Sequence, residues 1–284
     1  EIIERRTKVA KHFQLSNGKY AAFIGSVKHY KDENGLWQDI DLTIKNNNTS
    51  QFNEYKYCNV TNNIKTFYTQ SPDSLGILLQ YEDLQLVFWK NPKLEILNSN
   101  YESIKTINAS STKAVYNGNI IKYNDFSGII DEFVIHENGI KNNTLLNDIN
   151  WILNETDEQD FISFQQFIPL SDEYKIFINN NLITNNFEGE NFIIKRIKDT
   201  VGFVFSPIII YDNGINVERV YELITIPESK ITAKEKAELD AHVLQVKYQI
   251  IFVDGGIIVS VIIPINWLRD NNRAYPVVID PSVT

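Results

Sequence analysis

Five Asn-Gly pairs punctuate this chain of 284 residues, at Asn17-Gly18, Asn34-Gly35, Asn117-Gly118, Asn138-Gly139 and Asn213-Gly214. Three of them share one phrase: Glu33-Asn34-Gly35-Leu36, Glu137-Asn138-Gly139-Ile140 and Asp212-Asn213-Gly214-Ile215. Asn and Gly enter the positive-φ region at the lowest steric cost, so each pair suits a type I′ turn between antiparallel strands. The copies are irregularly spaced, which points to repeated hairpins and not to a solenoid.

Between the turns the side chains alternate. Over residues 243–253, Leu244, Val246, Tyr248, Ile250 and Phe252 alternate with Gln245, Lys247 and Gln249. The chain then turns at Asp254-Gly255-Gly256 into an apolar run, residues 257–263, expected to be buried on both faces. Further strands are expected over residues 20–27, 84–89, 172–178, 192–197, 201–205 and 217–226. The Asn-rich stretches 46–50, 179–181 and 185–186 read as solvated loops. One segment departs from this grammar: residues 232–241, where Thr232 with Glu235 three positions on forms the capping-box pattern of a short helix. The expected fold is all-β, an antiparallel sandwich with many hairpins and one short helical insertion. The polar, acidic stretch 142–160 around Trp151 divides it into halves, 1–150 and 151–284, or marks a loop within one continuous domain.

Composition narrows the function. Hydrophobic residues make up 43% and aromatic residues 12%, enough for a core and too much for a disordered chain. A net charge of −9 argues against nucleic acid as a partner, since phosphate neutralisation dominates that affinity. The longest apolar run, residues 257–265, is broken by Ser260 and Pro264 and is too short to cross a bilayer. Cys58 is the sole cysteine, so no internal disulfide forms, and it reads as a small hydrophobe in a strand. Methionine is absent and the chain opens on Glu1, so it is expected to be a piece of a larger protein.

The chemistry-bearing residues do not assemble into a motif. His12, His29, His136 and His242 have no metal-ligand spacing, and there is no HExxH, CxxC, Gly-rich phosphate loop or GxSxG elbow. Asp39 and Asp41 would share a strand face as an acid/base pair, although an exposed face beside Trp37 is the simpler and favoured reading. Asp131 and Glu132, as strand neighbours, point to opposite faces. Trp37, Trp89 and the fourteen tyrosines offer a sugar platform or, more simply, core. No catalytic, cofactor-binding or metal-binding residue is assigned.

Two longer phrases carry a resemblance. One is Phe13-Gln14-Leu15-Ser16-Asn17-Gly18-Lys19-Tyr20 with His29-Tyr30-Lys31-Asp32-Glu33-Asn34-Gly35-Leu36-Trp37-Gln38-Asp39-Ile40-Asp41. The other is Trp267-Leu268-Arg269-Asp270 with Arg273-Ala274-Tyr275-Pro276-Val277-Val278-Ile279-Asp280-Pro281-Ser282-Val283-Thr284. Together they resemble the β-rich region that precedes DNRLRE-type domains and repeats in large secreted bacterial proteins of the RHS/YD-repeat, wall-associated polymorphic-toxin type. Phe126-Ser127-Gly128-Ile129-Ile130-Asp131 is similar to that family's aromatic-Pro-Gly phrase, with Ser127 in place of proline, and the run from Ser206-Pro207 to Tyr211-Asp212-Asn213-Gly214 also fits.

The resemblance implies a region without a catalytic set, with the active part of the parent protein elsewhere. In the end phrases Trp37 and Trp267 are expected as core anchors. Tyr275-Pro276 would end a ladder on an edge strand, and Asp280-Pro281 would lead the chain out of the domain. The expected role is a non-catalytic structural or connector module of a secreted, cell-surface or virion protein, contacting other domains or subunits. The alternatives are a carbohydrate-binding or adhesion module and a glycosidase. An exposed aromatic patch would favour the second, converging buried carboxylates in a cleft the third, and free apolar edges the first.

Overall fold

A computed structural model describes residues 1–72 and 75–284. About 48% of the chain is strand and 11% helix, and the strand pairs are antiparallel, giving the all-β sandwich-type fold expected. A six-stranded sheet runs in the order Ser103–Asn108, Lys90–Leu97, Phe161–Pro169, Gly256–Pro264, Tyr248–Val253, Phe187–Gly189. A twelve-stranded sheet contains Ile120–Phe126, Ile129–His136 and Gly139–Leu146, continued by Ser282–Val283, Phe203–Phe205 and Phe192–Arg196. A five-stranded sheet spans residues 45–88, and two separate hairpins precede it. One apolar cluster joins the three large sheets, including Tyr68, Leu79, Phe88, Leu94, Phe133, Ile162, Phe192, Ile250 and Ile263.

Both large sheets cross residue 150. Lys90–Leu97 pairs with Phe161–Pro169, and Gly139–Leu146 pairs with Val277–Asp280 and Ser282–Val283. The stretches 1–150 and 151–284 therefore share sheets and a core. Asn142 itself is a buried strand residue, and only residues 150–153 within the polar stretch form a turn of helix.

Several expectations change. Residues 217–226 were expected as a strand but fold as a helix, Val217–Ile224, capped by the Asn216 side chain accepting from the Glu218 amide. Val217, Val220, Leu223 and Ile224 follow helical spacing, and Val220 and Leu223 bury themselves against Ile209 and Ile215. The helix over Ala233–His242 has the expected capping box between Thr232 and Glu235. Arg219 ties the two helices through Glu235 and Glu238. Residues 243–253 do form strand, but the chain changes sheet at Lys247: Val246 pairs with Ile208 and Tyr248 with Val261. Alternation continues through such a corner, so it could not reveal it.

The Asn-Gly turns are not type I′. At Gly18 and Gly35 the glycine alone has positive φ (77° and 76°), as in a turn completed by a glycine bulge, and Gly118 (58°) is the first residue of a two-residue loop between Asn117 and Ile120, as in a type II′ turn. Gly139 serves a different need, since a Cβ there would lie 2.2 Å from the Val283 carbonyl oxygen. Val283 belongs to the last strand, which lies inside the sheet between Gly139–Leu146 and Phe203–Phe205. Asp280-Pro281 thus does not lead the chain away, and Tyr275-Pro276 precedes an interior strand, not an edge.

Candidate functional site

Asp125 and Asp131 converge inside the sandwich. Asp131 follows the inward run Ile129, Asp131, Phe133, Ile135, and Asp125 follows the inward run Ile121, Tyr123, Asp125 on the neighbouring strand. Trp89 Nε1 donates to Asp131 Oδ2 at 2.8 Å, and the Thr144 hydroxyl donates to Oδ1. Neither oxygen of Asp125 makes a regular hydrogen bond to a donor, and only its own and the Phe126 backbone amides act to lower it. Burial, then the neighbouring Asp131 charge, pushes Asp125 well above the usual carboxylate range. Asp131 is raised by burial and held back by the hydrogen bonds from Asp125, Thr144 and Trp89. Both carboxyls are thus raised, that of Asp125 more strongly because it also faces the Asp131 charge. Asp131 borders a cavity of only about 40 Å³, together with Trp89, Asn142, Thr144 and Gln166. That holds water, which needs roughly 10–15 Å³, but no sugar ring.

The cavity backs onto a surface groove of about 560 Å³ lined by Asn91, Lys93, Asn108, Gln165, Gln166 and Phe167. Trp89 (φ 51°) and Asn91 (φ 47°) take left-handed backbone there, where Lys90–Leu97 slips register against Phe161–Pro169. The Trp89 amide donates to Gln166 Oε1 at 2.6 Å, which fixes this amide at the groove wall.

The pair tested from sequence does not converge. Asp39 is bound by Arg6 and Lys11, with His29 Nε2 3.5 Å away, while Asp41 accepts from Lys45 at 2.8 Å and is held down to about 2 by Lys45 and Thr43. Glu132 faces outward and pairs with Lys122. Trp37 is half-buried under Lys31 and belongs to no apolar cluster, so it is not a core anchor. Trp267 does pack on the core, with the Arg273 guanidinium 3.5 Å from its ring centre. Arg273 also donates to Asp212 at 2.7 Å and to the Ala241 carbonyl, while His242 Nδ1 lies 2.9 Å from Asp212. Asp280 receives Lys141 at 2.8 Å and the Tyr221 hydroxyl. The second end phrase thus clamps the helical excursion to the sheet. Cys58 is buried with Tyr55, Phe67 and Leu78, and burial pushes its thiol up.

At the other end of the chain stands β1 (Ala10–Gln14) with β2 (Tyr20–Ile24), a hairpin forming its own two-stranded sheet. Every residue of β2 is exposed, including Tyr20 (60%), Phe23 (63%) and Ile24 (72%). Alternation marked this stretch as a strand; nothing local marked it as uncovered. Comparison with protein-family models, curated proteins and solved structures gives no match.

Proposed function

We propose that the chain is a non-catalytic connector module of a larger secreted, cell-surface or virion protein, of the kind its two end phrases resemble, and that it works through contacts with other domains or subunits. The observation that carries this reading is β2, an apolar strand with a free edge and two exposed faces. Strands of that kind are normally paired, covered or blunted by charge. The test is amide hydrogen exchange over residues 20–24 in the isolated chain and in the assembly purified from its source. Fast exchange in isolation and protection in the assembly are expected. Equal, fast exchange in both would overturn the proposal.

A second reading, carbohydrate binding, draws on the groove. Neutral amides at Asn91, Asn108, Gln165 and Gln166 beside the Phe167 ring suit a polyhydroxyl ligand. Retention on neutral polysaccharides that is lost in Asn108→Ala would favour it over the connector. No retention removes it.

A further inference from the structure

Building on the connector reading, we infer that β2 accepts an acidic, extended strand from a partner protein, added edge to edge along its free side.

The hydrogen-bond phase of the hairpin fixes which groups await a partner. The Leu15 amide donates to Lys19 O at the turn, and the Gly25 amide donates to Val9 O at the open end. Antiparallel bonding alternates, so residues 21 and 23 face β1 with their backbone groups. The N–H and C=O of Tyr20, Ala22 and Ile24 therefore point away from β1, and no backbone acceptor or donor meets them among the described residues. Strand addition satisfies such a row directly. β2 itself contains no proline and no charge, the two devices that would blunt it.

Charge selects the kind of strand. Residues 1–31 hold seven Lys and Arg against two Glu, a net +5, while the remaining residues hold twenty against thirty-four, a net −14. The cations bracket the edge. The Arg5 guanidinium lies 4.9 Å from the Tyr20 ring centre, Lys19 precedes β2, and Lys28 packs beside Gly25 just past its end. Arg6 and Lys11 are already paired with Glu1 and Asp39, but Arg5, Lys19 and Lys28 have no acidic partner among the described residues. A second copy pairing β2 with β2 would bring these cations together, so like charge opposes self-association. A strand bearing Asp or Glu near its ends meets them instead, with apolar side chains against Tyr20, Phe23 and Ile24.

The probe is a short synthetic peptide of alternating valine and glutamate, compared with its valine-lysine counterpart, each titrated against the full chain by fluorescence anisotropy. The acidic peptide is expected to bind, more weakly as salt rises, and to protect the Ala22 amide from exchange. Ala22→Pro removes one outward N–H while leaving the β1 ladder intact, and should weaken binding about tenfold with an unchanged melting temperature. The triple reversal Arg5→Glu, Lys19→Glu, Lys28→Glu leaves β2 untouched and should transfer preference to the lysine peptide. Equal binding of both peptides, or binding indifferent to Ala22→Pro and to the reversal, overturns the inference. Self-association of the chain through residues 20–24, seen by sedimentation, also overturns it. If neither peptide binds while the assembly still protects residues 20–24, the acidic strand is wrong and the connector reading stands; if that protection is missing too, both fall.

Discussion

Asp125 and Asp131 lie buried on neighbouring strands of one sheet, and burial raises both carboxyls, that of Asp125 well above the usual range because the Asp131 charge adds to it. A carboxyl raised on folding binds more protons in the native state than in the unfolded chain. Its contribution is full below the unfolded value, near 4, and is lost as pH rises through the native one. Asp125→Asn keeps the size and shape of the side chain without its ionisation. The wild type is therefore expected to lose stability relative to this variant as pH is raised from about 4, in urea midpoints measured side by side. Parallel curves at all pH values would refute the raised Asp125 carboxyl.

Breaking the Arg273–Asp212 contact should be costly. Both side chains are almost wholly buried, at 3% and 0% exposure, and Arg273 also stacks on Trp267. Arg273→Ala leaves a buried carboxylate with only His242 and the Gly214 and Ala274 amides, at an expected cost of about 3–5 kcal/mol. Arg273→Lys should recover only part of this, because an ammonium has no planar face to lay on the indole. Chemical denaturation of the two variants decides it.

The four tryptophans are not equivalent. Trp89 is 3% exposed, packs against Tyr123 and Phe133, and donates to Asp131. Trp89→Ala should cost about 3–5 kcal/mol, as large-to-small core changes do. Trp37→Ala, in a half-buried hairpin, should stay within about 1 kcal/mol. Near-equal denaturation midpoints for the two variants would contradict these environments.

Much of the architecture was legible because strand and capping signals are local. Alternation marked residues 84–89, 172–178 and 192–197, and Thr232 with Glu235 marked the helix. Residues 217–226 misled because valine and isoleucine favour strands by propensity, while the i, i+3, i+4 burial that makes them helical depends on Ile209 and Ile215. Pairings across residue 150 were invisible, since register between distant strands is not written in either one alone. Asp131 was half legible: a lone carboxylate in the inward series of Ile129, Phe133 and Ile135 is a signal. Asp125 stands in a like inward series after Ile121 and Tyr123; what one strand could not show is the pairing of Tyr123 with Asp131 that sets the two carboxyls near each other, and weighing Asp131 only against Glu132 missed it.

Gly139→Ala should dislodge the last strand, since the added carbon would overlap the Val283 carbonyl. Faster amide exchange at Val204 and Thr284, whose backbones bond each other reciprocally at 2.7 and 3.0 Å, is the expected outcome. Exchange unchanged from the wild type would show that the strand can shift without loss.

The placement of that strand also decides how a pull on Thr284 would be resisted. Tension arriving at Thr284 enters the middle of the large sheet, between Gly139–Leu146 and Phe203–Phe205, and not its rim. A pull along the strand must shear the bonds on both of its sides at once, whereas a strand on a rim could be peeled away one bond at a time. A pull on Thr284 would therefore load the strands on both of its sides together.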